Sequence, residues 1–188
     1  MRARASPVIE VRAALPADAV VIAAVHAASW RSAYAGILPD EYLAGLSVPR
    51  LAAGYDRMIR AGQNLLVAAR TNVAKGEGPR VVGFAAGAPV QGGLAEAEIS
   101  LLYVLDDWRD QGIGRRLMRS LGVGLASQGA RSAFLWVLRD NPNRWFYRRL
   151  GGAPAAEGMI RFAGRELVQT AILWDPIDKL VAASPAAG

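Results

Sequence analysis

A β run that breaks into a glycine-marked helix start, between Glu98 and Met118, constrains this chain more than any other feature. Glu98-Ile99-Ser100-Leu101-Leu102-Tyr103-Val104 reads as a strand. After Leu105–Trp108 come Arg109-Asp110-Gln111-Gly112-Ile113-Gly114-Arg115-Arg116-Leu117-Met118, where two glycines flank Ile113 and open an amphipathic helix. The first N–H groups of a helix have no intrahelical partner and lie at the positive end of its dipole. Strand, glycine turn and helix start together describe a cradle for a pyrophosphate.

Composition narrows what surrounds that cradle. A chain of 188 residues is expected to form one domain, residues 1–188, and to bury roughly 70% of its unfolded surface. Its core is expected over about 8–175, with 182–188 a flexible Ala/Pro/Ser/Gly tail. With no cysteine, disulfides, thiolate metal sites and a cysteine nucleophile are excluded. His26 is the single histidine and no acidic cluster has ligand spacing, so no metal is expected. The net charge of +6 gathers at 109–119 and 139–149. Two patches suit a compact anionic ligand better than a long nucleic acid, and a solvated basic surface accounts for the same charge. Met1-Arg2-Ala3-Arg4 and the Ala-rich stretch 13–28 imitate a signal peptide, but Asp18 interrupts the apolar run. No run reaches about 18 apolar residues. A cytoplasmic protein with no membrane partner is the expectation.

The elements read in the order β-α-α-β-β-β-α-β-α-β-β. Val8–Ala14 is a strand, Pro16 opens a helix to about Ala28, and a second helical region covers Asp40–Ala61. Strands follow at Asn64–Arg70, Val81–Ala88 and Glu96–Val104, the first two joined by the polar turn Thr71–Arg80. The helix Gly112–Ser127 carries Ile113, Leu117, Leu121 and Leu125 on one stripe, with Gly122 and Gly124 unfavourable in its interior. Ala133–Leu138 is a strand, Asn143–Leu150 a short helix, and Met159–Phe162 with Glu166–Trp174 a closing hairpin. The fold class is α/β (α+β): a central mixed, mostly antiparallel sheet of about seven strands flanked by helices.

These residues resemble the GNAT superfamily of acyl-CoA-dependent N-acetyltransferases. The family's [Q/R]-x-x-G-x-[G/A] motif stands here as Arg109-Asp110-Gln111-Gly112-Ile113-Gly114. Asn141-Pro142-Asn143-Arg144-Trp145-Phe146-Tyr147-Arg148-Arg149-Leu150-Gly151-Gly152 is similar to its N-x-…-F-Y-x-x-x-G segment, and Trp30–Pro39 to its W-x-x-x-Y-x-G-…-P stretch. All three occur in family order.

The resemblance implies acetyl-CoA as co-substrate and acetyl transfer to a primary amine by direct attack in a ternary complex. Arg109, Gln111, Gly112, Ile113, Gly114 and Arg115 would hold the pyrophosphate, and the backbone of Leu102, Tyr103 and Val104 the pantetheine and thioester end. Asn141 would hydrogen-bond the pantetheine amides, or simply form an Asn-Pro turn. Glu98 is the candidate base, sharing a face with Ser100 and Leu102 by strand alternation, and Glu96 its substitute. Tyr147 is the candidate acid, its alternative being an amphipathic core tyrosine. Trp30 and Tyr34 fall in the stretch that walls the acceptor site in relatives, although such i,i+4 aromatic pairs also simply pack. His26, one turn earlier, is assigned a structural place.

Two other classes compete. A non-catalytic acyl-CoA-binding or sensor domain on the same fold stays open as the alternative; loss of Glu98, Glu96 and Tyr147 would favour it, and their presence counts against it. Nucleotide binding fails, because there is no G-x-x-x-x-G-K-[ST] and Leu117 replaces the third glycine of the dinucleotide fingerprint. No nucleic-acid motif appears. The partner is a small-molecule or peptide amine, and the closing strands leave room for a homodimer.

Overall fold

The computed structural model describes residues 8–71 and 80–182. Most of the polar turn at 71–80 and nearly all of the tail at 182–188, like Met1-Arg2-Ala3-Arg4, lie outside the described residues. Seven strands form one sheet in the order β1-β2-β3-β4-β5-β7-β6. They are β1 (Ile9–Ala13), β2 (Leu65–Arg70), β3 (Val81–Pro89), β4 (Ala97–Val104), β5 (Ala133–Leu138), β6 (Ala153–Phe162) and β7 (Arg165–Trp174). All neighbours are antiparallel except β4 and β5. The parallel step arises because helix α4 (Ile113–Ser127) carries the chain from β4 across the sheet to β5.

Helices cover both faces. On one, the stripe Ile113, Leu117, Leu121 and Leu125 of α4 packs against Ala97, Ile99, Leu135 and Val137 of the central strands. On the other, α1 (Ala19–Ala33) and α3 (Val48–Arg60) close over β2 and β3 through Ile22, Val25, Tyr55, Val67 and Phe84. The helical region expected over Asp40–Ala61 divides into α2 (Asp40–Ala44) and α3. Gly45 ends the first, and Ser47 caps the second by accepting the Arg50 N–H at 3.4 Å.

The closing hairpin is longer than expected, since β6 begins at Ala153. Gly151-Gly152 stops the preceding helix, and β6 takes in Pro154 because it is an edge strand, where a missing N–H leaves no neighbour unpaired. After β7, α6 (Asp178–Ala182) sets Leu180 against Gly122, where a Cβ would lie 3.1 Å from Leu180 Cδ2. That close approach accounts for one helix-interior glycine; Gly124 has nothing within 4 Å. The short helix α5 (Arg144–Arg149) lies between β5 and β6.

Candidate active site

The helix start at α4 has the form a cradle needs. Gly112 caps the helix at φ +75°, a left-handed conformation that costs glycine nothing. The Arg116 N–H donates to the Gly112 carbonyl at 3.0 Å. The N–H groups of Ile113, Gly114 and Arg115 therefore belong to the first turn, ahead of intrahelical bonding. Gly114 answers to a different constraint: a Cβ there would lie 3.3 Å from the Phe146 ring. One glycine serves the backbone and the other the close approach of α5.

The basic residues around this turn divide. Arg109 and Arg115 line a cavity of about 400 Å³ that runs from the turn to β4, β5 and α5. Arg109 is held by Asp106 at 2.7 Å, and Asp106 also accepts the Ser32 hydroxyl from α1 at 2.5 Å. Arg116 points elsewhere, donating to the Ile9 carbonyl at 2.8 Å. Gln111 is exposed and donates back to the Asp107 carbonyl at 3.1 Å, so its side chain does not face the cavity.

The wall of the cavity is an open strand edge. β4 and β5 pair only at Ala97–Ala133 and Glu98–Phe134 and then separate. On its other side β4 pairs with β3 as far as Val104, with a register shift between Ala86 and Gly87 that leaves Ser100 as an extra residue. The Leu105 N–H donates to the Val82 carbonyl at 2.9 Å. By antiparallel alternation the backbone of Tyr103 also faces β3, while Leu102 and Val104 turn their N–H and C=O groups to the gap. Of the three backbone positions expected at the thioester end, two face the gap and Tyr103 does not.

The same bulge corrects the face assigned to Glu98. Simple alternation places Glu98, Ser100 and Leu102 together. The extra residue reverses the parity, so Ile99, Leu102 and Val104 pack toward α4, while Leu101 and Tyr103 pack toward α1 and α3. Glu98 lies on the Leu101 side, half-buried and off the cavity wall. Glu96 is committed to Arg131, whose guanidinium binds it at 2.7 Å and whose N–H donates at 2.7 Å. Those bonds hold its carboxyl below the ordinary range.

Where the gap ends, three phenols meet. Tyr34 and Tyr147 line the cavity with Tyr103. Burial raises the pKa of each, so all three are protonated at neutral pH. The Tyr34 hydroxyl accepts from the Asn141 amide and interacts with the Tyr103 hydroxyl. Asn141 is buried, and its Oδ1 accepts the Asn143 N–H at 2.9 Å. It is thus an Asx turn and a Tyr34 partner at once. The Ser29 hydroxyl, on the same α1 wall, is buried with no partner.

Trp30 and Tyr34 touch edge to face at 5.0 Å. Trp30 lies off this cavity and joins two rings not singled out in the sequence, Tyr42 at 6.1 Å and Phe162 at 5.8 Å. Phe162 ends β6, and its distance along the chain hides it from any local pattern. The Trp30 indole N–H is buried outside hydrogen-bonding geometry, though near enough to the Tyr103 hydroxyl to lower that phenol slightly. His26 stacks on Tyr103 at 5.2 Å, and its Nδ1 and the Tyr55 hydroxyl are 2.6 Å apart. Burial lowers its pKa to about 4, so it is neutral and structural.

Comparison with known proteins agrees with this arrangement. Residues 62–151 match the model of the acetyltransferase (GNAT) domain. An uncharacterized N-acetyltransferase of Bacillus subtilis strain 168, YuaI, is 29% identical over 92% of this chain and 96% of its own. YncA of Salmonella typhimurium, a putative acetyltransferase solved with acetyl-CoA, superposes with a TM-score of 0.63 at 21% identity, covering 89% of this chain and 93% of that one. The PaiA N-acetyltransferase of Thermoplasma acidophilum, solved with coenzyme A, gives 0.62 at 20% identity, over 87% and 98%. The matched residues hold both the separation of β4 from β5 and the glycine cradle at α4, so this part of the chain is similar to the acetyltransferase (GNAT) domain and the whole has the fold of these solved N-acetyltransferases.

Proposed function

We propose that residues 1–188 form one cytoplasmic acetyltransferase domain that moves an acetyl group from acetyl-CoA to a primary amine by direct attack in a ternary complex. The observation that carries this reading is the continuity of the cavity from the α4 cradle to the open edge of β4. Coenzyme A has a pyrophosphate at one end and an amide-bearing arm at the other, and the cavity offers a partner to each. The N–H groups of Ile113, Gly114 and Arg115 and the side chains of Arg109 and Arg115 take the pyrophosphate. Leu102 and Val104 pair with the arm as an added strand would.

Leu102 or Val104 then donates its N–H to the thioester oxygen, where negative charge develops. Tyr147 supplies a proton to the departing sulfur. Its phenol is weakly acidic in this buried site, but the same dry surroundings raise the basicity of the thiolate. Glu98 takes the amine proton through water from the face opposite α4, while Glu96 stays bound to Arg131. Calorimetric titration with acetyl-CoA, followed by thiol-release assay across amine classes, tests the reading. Saturable binding and amine-dependent thiol release are expected. No binding at millimolar acetyl-CoA refutes it; binding without turnover on any amine supports a sensor instead.

A further inference from the structure

A second cavity opens on the face of β4 opposite α4. It measures about 580 Å³ and lies between α2, α3 and β4, within the size range of small-molecule sites. We infer that it binds the apolar body of the acceptor, and that the acceptor is therefore a monoamine on an arylalkyl frame rather than a polycation. This rests on the acetyltransferase reading above.

Three observations carry it. Leu101 lines both this cavity and the donor cavity. Leu101 and Leu102 are adjacent beyond the bulge and face opposite sides of the sheet, so a molecule seated here has its amine end beside the thioester edge. Most of the remaining wall is apolar, from Tyr42, Leu46, Leu51, Tyr55 and Met58. Tyr42 also joins the cavity to the Trp30 and Phe162 rings.

The charge pattern selects among amines. Among the described residues, the only charged ones on the wall are Glu41 and Arg50, one of each sign, and neither is in an ion pair there. A cavity without net charge, in a protein of net charge +6, gives no compensation to a ligand with several ammonium groups. An apolar frame with one amine loses little on entering it.

Gly54 supplies the test. It lies in α3 on the cavity wall, and a Cβ there would meet nothing within 4 Å. Gly54→Leu adds a side chain at the cavity wall whose Cβ meets no neighbour, and favours the helix; Gly54→Ala is the mild control. Phenethylamine, spermidine and kanamycin are assayed with acetyl-CoA, and phenethylamine binding is measured separately by calorimetry. The expected kcat/KM for phenethylamine exceeds the other two by about tenfold or more. Gly54→Leu raises its KM and Kd by about tenfold, Gly54→Ala much less, and acetyl-CoA affinity is unchanged. The inference is overturned if spermidine or kanamycin matches phenethylamine, or if Gly54→Leu leaves phenethylamine affinity intact. Loss of acetyl-CoA binding in the unsubstituted protein would instead refute the donor reading, while the phenethylamine titrations still decide the cavity.

Discussion

Tyr147 gathers the constraints of the cavity between α4 and β4 onto one side chain. Its ring packs edge on against Phe146 at 5.4 Å and Trp174 at 6.4 Å, and burial keeps its hydroxyl protonated. A tyrosine placed only for packing would tolerate phenylalanine with little functional loss. Placed as the acid, it would not. Tyr147→Phe is expected to lower kcat by about a hundredfold and leave the acetyl-CoA Kd within about twofold, read by single-turnover kinetics and calorimetry. An unchanged rate removes Tyr147 from that part. Glu98→Gln is expected to lower kcat/KM for the amine about tenfold or more and leave the acetyl-CoA Kd unchanged. An unchanged kcat/KM assigns deprotonation to another group.

Two elements set the geometry of the site. In β4 the extra residue at Ser100 separates the strand from its simple alternation, so that one strand serves two cavities on opposite faces. In α4 two interior glycines have unequal reasons. Gly122 lies against Leu180 of α6, whereas Gly124 faces open space. Gly124→Ala is expected to stabilise the protein by about 1 kcal/mol, seen as a Tm rise of roughly 2–4 °C. Gly122→Ala gains less or loses, because Leu180 must move to admit the Cβ. Equal gains from both would contradict the packing of α6.

The whole molecule couples its stability to pH through one buried ring. The fold holds His26 near pKa 4, below its ordinary value of 6.5. Between those values the unfolded chain binds a proton that the folded state does not, so stability rises with pH across that window. This contribution is complete above about pH 6.5 and is lost as pH falls to about 4, by at most about 3 kcal/mol. Urea unfolding at pH 7 and pH 5 should show a smaller pH dependence in His26→Gln than in the unsubstituted protein. Identical dependence would mean that His26 is solvated.

Much of this architecture was written locally. The cradle was legible because a turn, two glycines and a helix start are contiguous, and backbone N–H groups need no distant partner to bind an anion. The succession of elements along the chain and helix α4 followed from periodicity in the same way. The sequence by itself thus determined the strand–cradle–helix unit at 98–118 and most of the elements around it. What escaped it depends on pairing between distant segments. The bulge at Ser100 exists only as a mismatch of register between β3 and β4, and it moved Glu98 off the face that period 2 assigns. Phe162 reaches Trp30 across more than a hundred residues of chain, and Leu101 becomes a shared wall only when α2 and α3 dock on the sheet. Tertiary structure alone decided which side of β4 each residue faces and where the second cavity lies, because side-chain direction in a bulged strand is fixed by its neighbours rather than by its own sequence.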